Sequence, residues 1–355
     1  MNAWLVRAGK TGERDKFNLD NNVISVGFNE VGDLSGVDNR DALREIMGAA
    51  FPVSPKFRVA SHTGQLWTFT NKIEVGDLVV LPLKSTKQLA IGEVRGPYEY
   101  KSDDVDKNPH MRSVKWLRID IARTAVKQDL LYSLGAAMTV CGLTRNDAFE
   151  RIKALAKENG LDPGASVESF LDKTTNGESD SDSEVTDSTA ATDIDLEQWA
   201  RDRISAVMAE RFAGHRLAHL VGAVLEAQGF VCDVAPEGPD GGIDIFAGRG
   251  SLGLDSPRLI VQVKSSTTSI DAPTVRELHG VISTHGADQG LLVAWGGLNK
   301  TARKELGNQH FNVRVWEASD LIDHVTATYE QLSESIRSEL PLKQIWTFVE
   351  DLVDP

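Results

Sequence analysis

Three side chains of different chemistry, Asp244, Gln262 and Lys264, stand in a stretch whose other members are largely Ile and Val. The stretch is made of EGPDGGIDIF (Glu237 to Phe246) and RLIVQVKSS (Arg258 to Ser266), divided by the turn-rich AGRGSLGLDSP. Apolar and β-branched residues alternate with polar ones in both segments, which predicts two strands. On the second strand Leu259, Val261 and Val263 take one face, and Ile260, Gln262 and Lys264 take the other. If the strands pair, Asp244 lies beside Gln262 and Lys264. A carboxylate, an amide and an ammonium in an apolar sheet are costly without partners, so they are expected to do chemistry. That chemistry is metal-assisted phosphodiester hydrolysis. Asp244 offers a hard oxygen to Mg²⁺, and the Gln262 side-chain oxygen and the Val263 carbonyl complete the protein's share. Lys264 steadies the attacking hydroxide and the pentavalent charge. Read alone, DGGID is a β-turn entering a strand; QVK gives it the second meaning.

Helices must hold these strands. DLEQWARDRISAVMAERFAGHRLAHLVGAVLEAQGF splits at Gly214 into two helices, the second with Leu217, Leu220, Val221 and Val224 on a core-facing stripe and Gly229 as its C-cap. Beyond QVKSS, APTVRELHGVISTHGADQGLLVAWGG reads as helix then strand, and NKTARKELGNQHFNVRVWEASDLIDHV repeats that order with VRVW as the last strand. The alternation predicts an α/β domain with a mixed sheet.

Gly229 with Phe230, then Asp240 to Asp244, then Gln262 with Lys264 resemble the pattern of the Mrr-like restriction endonucleases in the PD-(D/E)xK superfamily, in the version with Gln for the second acidic residue. The resemblance runs over roughly Phe212 to Val325 and implies an α/β/α restriction-endonuclease-like fold. It implies Asp244, Gln262 and Lys264 as catalytic residues, Asp244, Gln262 and Val263 as Mg²⁺ ligands, and Asp240 as an accessory. The family's upstream helix often supplies a glutamate; Ala218 stands at that position. His215 and His219, one helical turn apart, either face the site together or form a solvated pair on the outer face.

At 355 residues the chain is long enough for two or more domains, and 41% hydrophobic with 25% charged residues is ordinary for a globular protein. No apolar run reaches membrane-spanning length, and the N-terminus lacks the apolar segment of a signal peptide, which together point to the cytoplasm and no membrane partner. Cys141 and Cys232 have no CxxC or His companion and read as buried free thiols. AGRGSLG lacks the GK[ST] ending of a phosphate-binding loop, which excludes that class of nucleotide hydrolase. The net charge of −14 looks unfavourable for a nucleic-acid partner, but much of it lies in DKTTNGESDSDSEVTDSTAATD. That segment, poor in apolar residues, reads as a disordered linker, and without it phosphate contact depends on local basic patches. The expected division is a first domain over 1–160, an acidic linker over 161–195, a nuclease domain over 196–325 and a helical tail over 326–355.

In the first domain Ala3 to Val6, Val23 to Val26, IEVGDLVVLPL, KQLAIGEVRGPYEY and VKWLRIDIA read as strands of a small β-barrel. A helix around DNRDALREIMGAA follows the early strands, and TRNDAFERIKALAKEN closes the domain, with Thr144 and Asp147 as a capping box and Ala148, Ile152 and Leu155 on one face. The order AWLVRAG, VGDLVVL, LAIGEVRGPYEY, VKWLRIDI resembles the EVE domains of the PUA superfamily, which implies a PUA-like barrel that holds a flipped modified base. Trp4, Phe28, Trp67 and Trp116 are the candidate cage, with Ser25 and Asn29 toward the base edge; ordinary packing is the competing reading for each ring. Lys300, Arg303 and Lys304, at a helix start, and Arg112, Lys115 and Arg118, around Trp116, are candidate phosphate contacts or plain solvated cations.

The resulting expectation is an endonuclease that recognises modified cytosine in double-stranded DNA, with Mg²⁺ as cofactor. A flexible linker would give variable cleavage distances, and the tail's apolar residues Leu332, Ile336, Leu340, Ile345, Trp346 and Leu352 could support a homodimer. A non-catalytic reader of modified nucleic acid and an RNA-directed nuclease are the alternatives.

Overall fold

The computed structural model describes residues 1–101, 108–157, 160–165, 195–238, 242–308 and 312–346. The chain forms two compact units, one up to Trp199 and one from Ala200. Of the expected acidic linker over 161–195, residues 166–194 lie outside the described residues.

The first unit contains β1 (Ala3–Val6), α1 (Asp15–Asn21), β2 (Val23–Val26), α2 (Arg40–Ala50), α3 (Lys56–Trp67), β3 (Leu78–Leu83), β4 (Gln88–Tyr100), β5 (His110–Ala122), α4 (Gln128–Leu134), β6 (Val140–Gly142) and α5 (Ala148–Leu155). Its sheet has the order β2-β5-β4-β3-β1-β6. Strand alternation loads both faces. Leu5, Leu78 and Val80 pack with Leu130 and Ile152 on one side, and Val6 and Val79 pack with Leu43, Leu66 and Phe69 on the other. The end strands β2 and β6 are not hydrogen-bonded to each other, so among the described residues the expected barrel is an open sheet. The predicted capping box is absent: the chain enters α5 through two left-handed residues, Asn146 and Asp147, and α5 starts at Ala148 with no side-chain cap. The stripe of Ala148, Ile152 and Leu155 is buried as expected.

Buried ion pairs fix the far end of this unit. Arg151, 1% exposed, binds Asp162 through Nε and Nη2, both at 2.7 Å, and Asp129 through Nη1 and Nη2 at 2.5 and 2.8 Å. Asp162 also accepts the Lys127 and Gly164 N–H groups. Past the undescribed segment the chain returns to the same unit, where Asp195 accepts from Lys84 Nζ at 2.7 Å and Arg7 Nη1 at 3.4 Å. Asp195 also accepts the Gln198 N–H in the first turn of α6 (Leu196–Arg211).

The second unit continues with α7 (Arg216–Ala227), β7 (Val231–Val234), β8 (Ile245–Arg249), β9 (Asp255–Lys264), α8 (Ala272–His285), β10 (Gln289–Ala294), α9 (Lys300–Asn308), β11 (Val313–Glu317), α10 (Ala318–Ala327) and α11 (Glu334–Glu339). The sheet order is β11-β10-β9-β8-β7, antiparallel from β7 to β9 and parallel from β9 to β11, which is the mixed sheet expected. Ile245, Val261, Leu291 and Val293 face Leu217, Leu220, Val221 and Leu321, while Ile260 and Leu292 face Val275, Leu278 and Ala302. Helices therefore cover both faces. α7 ends at Gly229, φ +86°, where the Phe230 N–H reaches Leu225 O and the Gly229 N–H reaches Glu226 O, the paired bonds of a Schellman motif. In the tail Leu332 and Leu340 are buried, but Ile345 is 71% and Trp346 96% exposed, so the apolar face expected there is only partly packed; Leu352 lies outside the described residues.

Candidate active site

The segment entering β8 sets Asp244 against the end of β9, the strand that carries Gln262 and Lys264. The Asp244 N–H donates to Val261 O at 2.9 Å, and the Val263 N–H donates to Asp244 Oδ2 at 2.7 Å. These bonds hold Asp244 between the two neighbours of Gln262. A strand residue's N–H and C=O point to the same edge, so the Val263 carbonyl is directed to the edge where Asp244 lies.

Gln262 is 5% exposed, and its Oε1 has no hydrogen-bond partner among the described residues. Leaving such an acceptor unsatisfied costs about 1–3 kcal/mol. Its amide leans on Gly242, whose φ is +87° and where a Cβ would stand 2.9 Å from Nε2. The glycine is required twice, by the left-handed backbone and by the close approach. Lys264 is half-buried and follows Gln262 on the same face, and its carbonyl is bound to the Trp295 N–H at 2.9 Å. No cluster of three or more His, Cys, Asp or Glu stands together among the described residues. A cation here would be held by one carboxylate with neutral oxygens, a donor set suited to a hard ion, and the orphaned Gln262 oxygen fits that use. Asp240 lies outside the described residues.

The remaining residues of this unit divide by exposure. His219 is exposed and His215 half-buried, with ring centroids 5.0 Å apart, so the pair lies off the buried stripe of α7, on its outer side. Ala218 is 1% exposed within the apolar cluster against the sheet, so no carboxylate reaches the site from this position. Lys300 and Lys304 are exposed, but Arg303 is paired with Glu317 at 2.6 Å, and Asn299 caps the Ala302 N–H. Cys141 and Cys232 are free and half-buried rather than fully buried, and burial pushes the Cys232 thiol up to about 12.

In the first unit the predicted cage residues border one apolar cluster but are not equivalent. Phe28 is 2% exposed at φ +66°, a costly conformation for a bulky residue, and it packs edge-on against His62. Trp4 is half-buried and donates Nε1 to Asp77 Oδ2 at 2.7 Å; Trp67 is half-buried and Asn29 exposed. Trp116 is half-buried with Nε1 on Asn18 O, and Ser25 is fully buried with its hydroxyl on Asn18 Oδ1 at 2.6 Å. Arg112 is corrected: it is 4% exposed and spends its guanidinium on the carbonyls of Phe69, Thr70 and Gly96, with burial lowering it to about 10. Arg118 likewise binds the carbonyls of Leu155, Lys157 and Gly160, which leaves Lys115 as the exposed cation of the group. Sequence reasoning missed the stack of Tyr98 on His110, joined by a 2.7 Å hydrogen bond to Nδ1, because a cross-strand pair has no local spacing signature.

Comparison with known proteins now has a geometry to attach to. Residues 209–325 match the model of a restriction endonuclease family. The second unit thus carries a restriction endonuclease domain, the coarser part of the likeness read from the sequence. Residues 4–140 match a domain of unknown function, DUF8426, and this does not confirm the EVE likeness. No curated protein matches the chain. Among solved structures, it is similar to the DNA modification-dependent restriction endonuclease AspBHI (13% identity, 81% of this chain and 74% of that one, TM-score 0.33). It is also similar to the MspJI restriction endonuclease in complex with a 27-mer oligonucleotide (13% identity, 95% and 79%, TM-score 0.31). A protein of unknown function, AF1548, aligns at 17% identity over 35% of this chain and 77% of its own, with a TM-score of 0.26. No helix among the described residues is long and apolar enough to cross a membrane.

Proposed function

We propose that the chain is a modification-dependent restriction endonuclease, in which the first unit engages a modified cytosine in double-stranded DNA and the second hydrolyses phosphodiester bonds with Mg²⁺. The observation that carries the catalytic half is the buried, unpartnered Gln262 Oε1 on the strand that also bears Lys264 and binds Asp244, inside a restriction endonuclease domain. Asp244, Gln262 through Oε1 and the Val263 carbonyl would hold the ion. A divalent ion held there would supply Lewis-acid polarisation of the scissile phosphate. Lys264 carries the positive charge that meets the pentavalent phosphorane, and covering helices on both sheet faces keep the strands that aim these groups rigid. Lys115, Lys300 and Lys304 are the exposed cations available to the DNA backbone. The aromatic groups bordering the first unit's core, with Trp4, Trp67 and Trp116 the half-buried members of the candidate cage, support the reader role.

The test is cleavage of matched plasmids carrying cytosine, 5-methylcytosine or 5-hydroxymethylcytosine, with Mg²⁺, for the wild type and Lys264→Ala. Cleavage of a modified plasmid alone, abolished by the substitution, is the expected result. Tight binding of the modified plasmid without any cleavage would convert the reading to a non-catalytic reader, with Ala218 as the reason. Preferential cutting of matched RNA would redirect it to RNA.

A further inference from the structure

The turn between α2 and α3, in the sequence FPVSPKFR, leaves two large apolar side chains in solvent. Val53 is 96% exposed and Phe57 70%. The Ser54 N–H returns to the Phe51 carbonyl at 3.2 Å, which makes a β-turn with Pro52 at its second position and Val53 at its third. Pro55 is the N-cap residue of α3. Prolines thus precede and follow the tip, and their fixed φ angles lower the entropy lost when the turn is immobilised against a partner. The base of the turn is anchored too: Phe51 packs edge-on against His62, centroids 6.3 Å apart, and His62 packs against Phe28 of the candidate cage at 5.4 Å. Apolar residues scattered singly over a surface are ordinary. Here two lie on one pre-set turn, no more than about 14 Å apart even were the chain extended.

Charge says what the tip meets. The chain holds 52 acidic residues, yet no Asp or Glu falls between Glu45 and Glu74. That interval carries Lys56, Arg58 and Lys72, the two lysines exposed and the arginine half-buried. Among the described residues no carboxylate pairs with any of the three. The other turn with exposed apolar residues, Leu252 (77%) and Leu254 (71%) between β8 and β9, differs. Asp255 follows it directly, and the neighbouring Arg249 is spent on the Phe230 ring and on the carbonyls of Gln228 and Gly229. An apolar tip rimmed by unpaired cations complements a polyanion whose interior is apolar and layered. A nucleic-acid duplex is such a partner: a base step admits an apolar wedge while the flanking phosphates meet the cations.

We propose that the α2–α3 turn is a DNA wedge: Val53 and Phe57 enter the base stack beside the position that the first unit reads, and Lys56, Arg58 and Lys72 take the adjacent phosphates. The inference rests on the reader role proposed above and adds the element that opens the stack. Drawing a base out of a duplex leaves a gap, and an apolar side chain that fills it offsets part of the unstacking cost and keeps the displaced base from returning.

The test uses the full chain without Mg²⁺ and fluorescence anisotropy at several salt concentrations. The duplexes are unmodified, or carry one 5-methylcytosine, one 5-hydroxymethylcytosine, or an abasic site in place of that cytosine. A wedge works against less stacking where a base is already missing, so wild type should bind the abasic duplex about tenfold more tightly than the unmodified one. Val53→Ser combined with Phe57→Ser should lose that preference and about 10- to 100-fold in affinity for the preferred modified duplex. Its melting temperature should hold, because both side chains are exposed. Its slope of log affinity against log salt should also hold, since neither side chain meets a phosphate, whereas Lys56→Ala combined with Lys72→Ala should flatten that slope by about 1.8. Equal affinities of wild type and the serine variant for every duplex overturn this inference alone, and sedimentation of the two proteins then shows whether the tip joins two copies of the chain instead. Wild type that binds modified and unmodified duplexes alike overturns the reader role. The abasic arm then still decides the wedge, which stands if the serine variant loses the abasic preference and falls if it keeps it or if wild type has none.

Discussion

Arg112 in the first unit and Gln262 in the second are both polar residues buried in sheets, and they differ in one respect. Arg112 meets three carbonyls and ties β5 to the end of α3 and to β4, whereas Gln262 leaves its oxygen without a partner. Saturation marks a polar group that holds the fold together. An open valence on a strand end that also binds a carboxylate is consistent with one held ready for something else. Arg112, Arg118 and Arg151 of the first unit are clamps, while the second unit's β9 carries an amide oxygen with no partner among the described residues.

That contrast can be broken by substitution. Gln262→Met, close in volume and without a polar atom to strand, should change unfolding free energy by less than about 1 kcal/mol in a denaturant titration. The same change should cut Mg²⁺-dependent cleavage on the order of 10²–10³-fold, the scale of removing one preorganised electrostatic group. A large loss of stability instead would place Gln262 with Arg112. Arg112→Met should do the opposite, costing roughly 3 kcal/mol in the first unit by stranding three carbonyls, read as a shift in its unfolding midpoint, with cleavage by the folded fraction intact.

A smaller effect sharpens the clamp side of the comparison. Hydrogen bonds from Arg151 hold the Asp129 carboxyl below its ordinary value, and at Asp162, where burial pushes up, Arg151 and two backbone N–H groups outweigh it and bring it below as well. A depressed folded pKa gives stability that is complete above the unfolded value of about 3.9 and is lost as pH falls through the folded one. Thermal melts between about pH 5 and about pH 3 should therefore show the wild type losing more stability than Arg151→Met, which has no such bond to lose. Equal slopes would show that the cluster contributes nothing to acid sensitivity.

Much of the second unit was legible because its signals are local and periodic: the stripe Leu217, Leu220, Val221, Val224, the glycine ending α7, and alternation along β9. The pairing of Asp244 with the strand that carries Gln262 and Lys264 followed from reading both segments as neighbouring strands. What escaped depends on long-range partners. Nothing in VKWLRIDI or the residues before it says that Arg112 faces inward to carbonyls more than 15 residues away in sequence, and a basic residue beside a tryptophan reads the same either way. Strand count suggested a barrel, but closure depends on whether β2 meets β6, which spacing does not encode.

The salt bridges at Asp162 and Asp195 change the mechanics expected of the acidic segment. Both anchors belong to the first unit, so the chain leaves that unit's surface at 165 and is back on it at 195. Each carboxylate is tied down by cations of the folded unit itself, Asp162 by Arg151 and Asp195 by Lys84 and Arg7. Removing acidic residues from 166–194 should therefore leave both ion pairs, and the unit they hold together, in place.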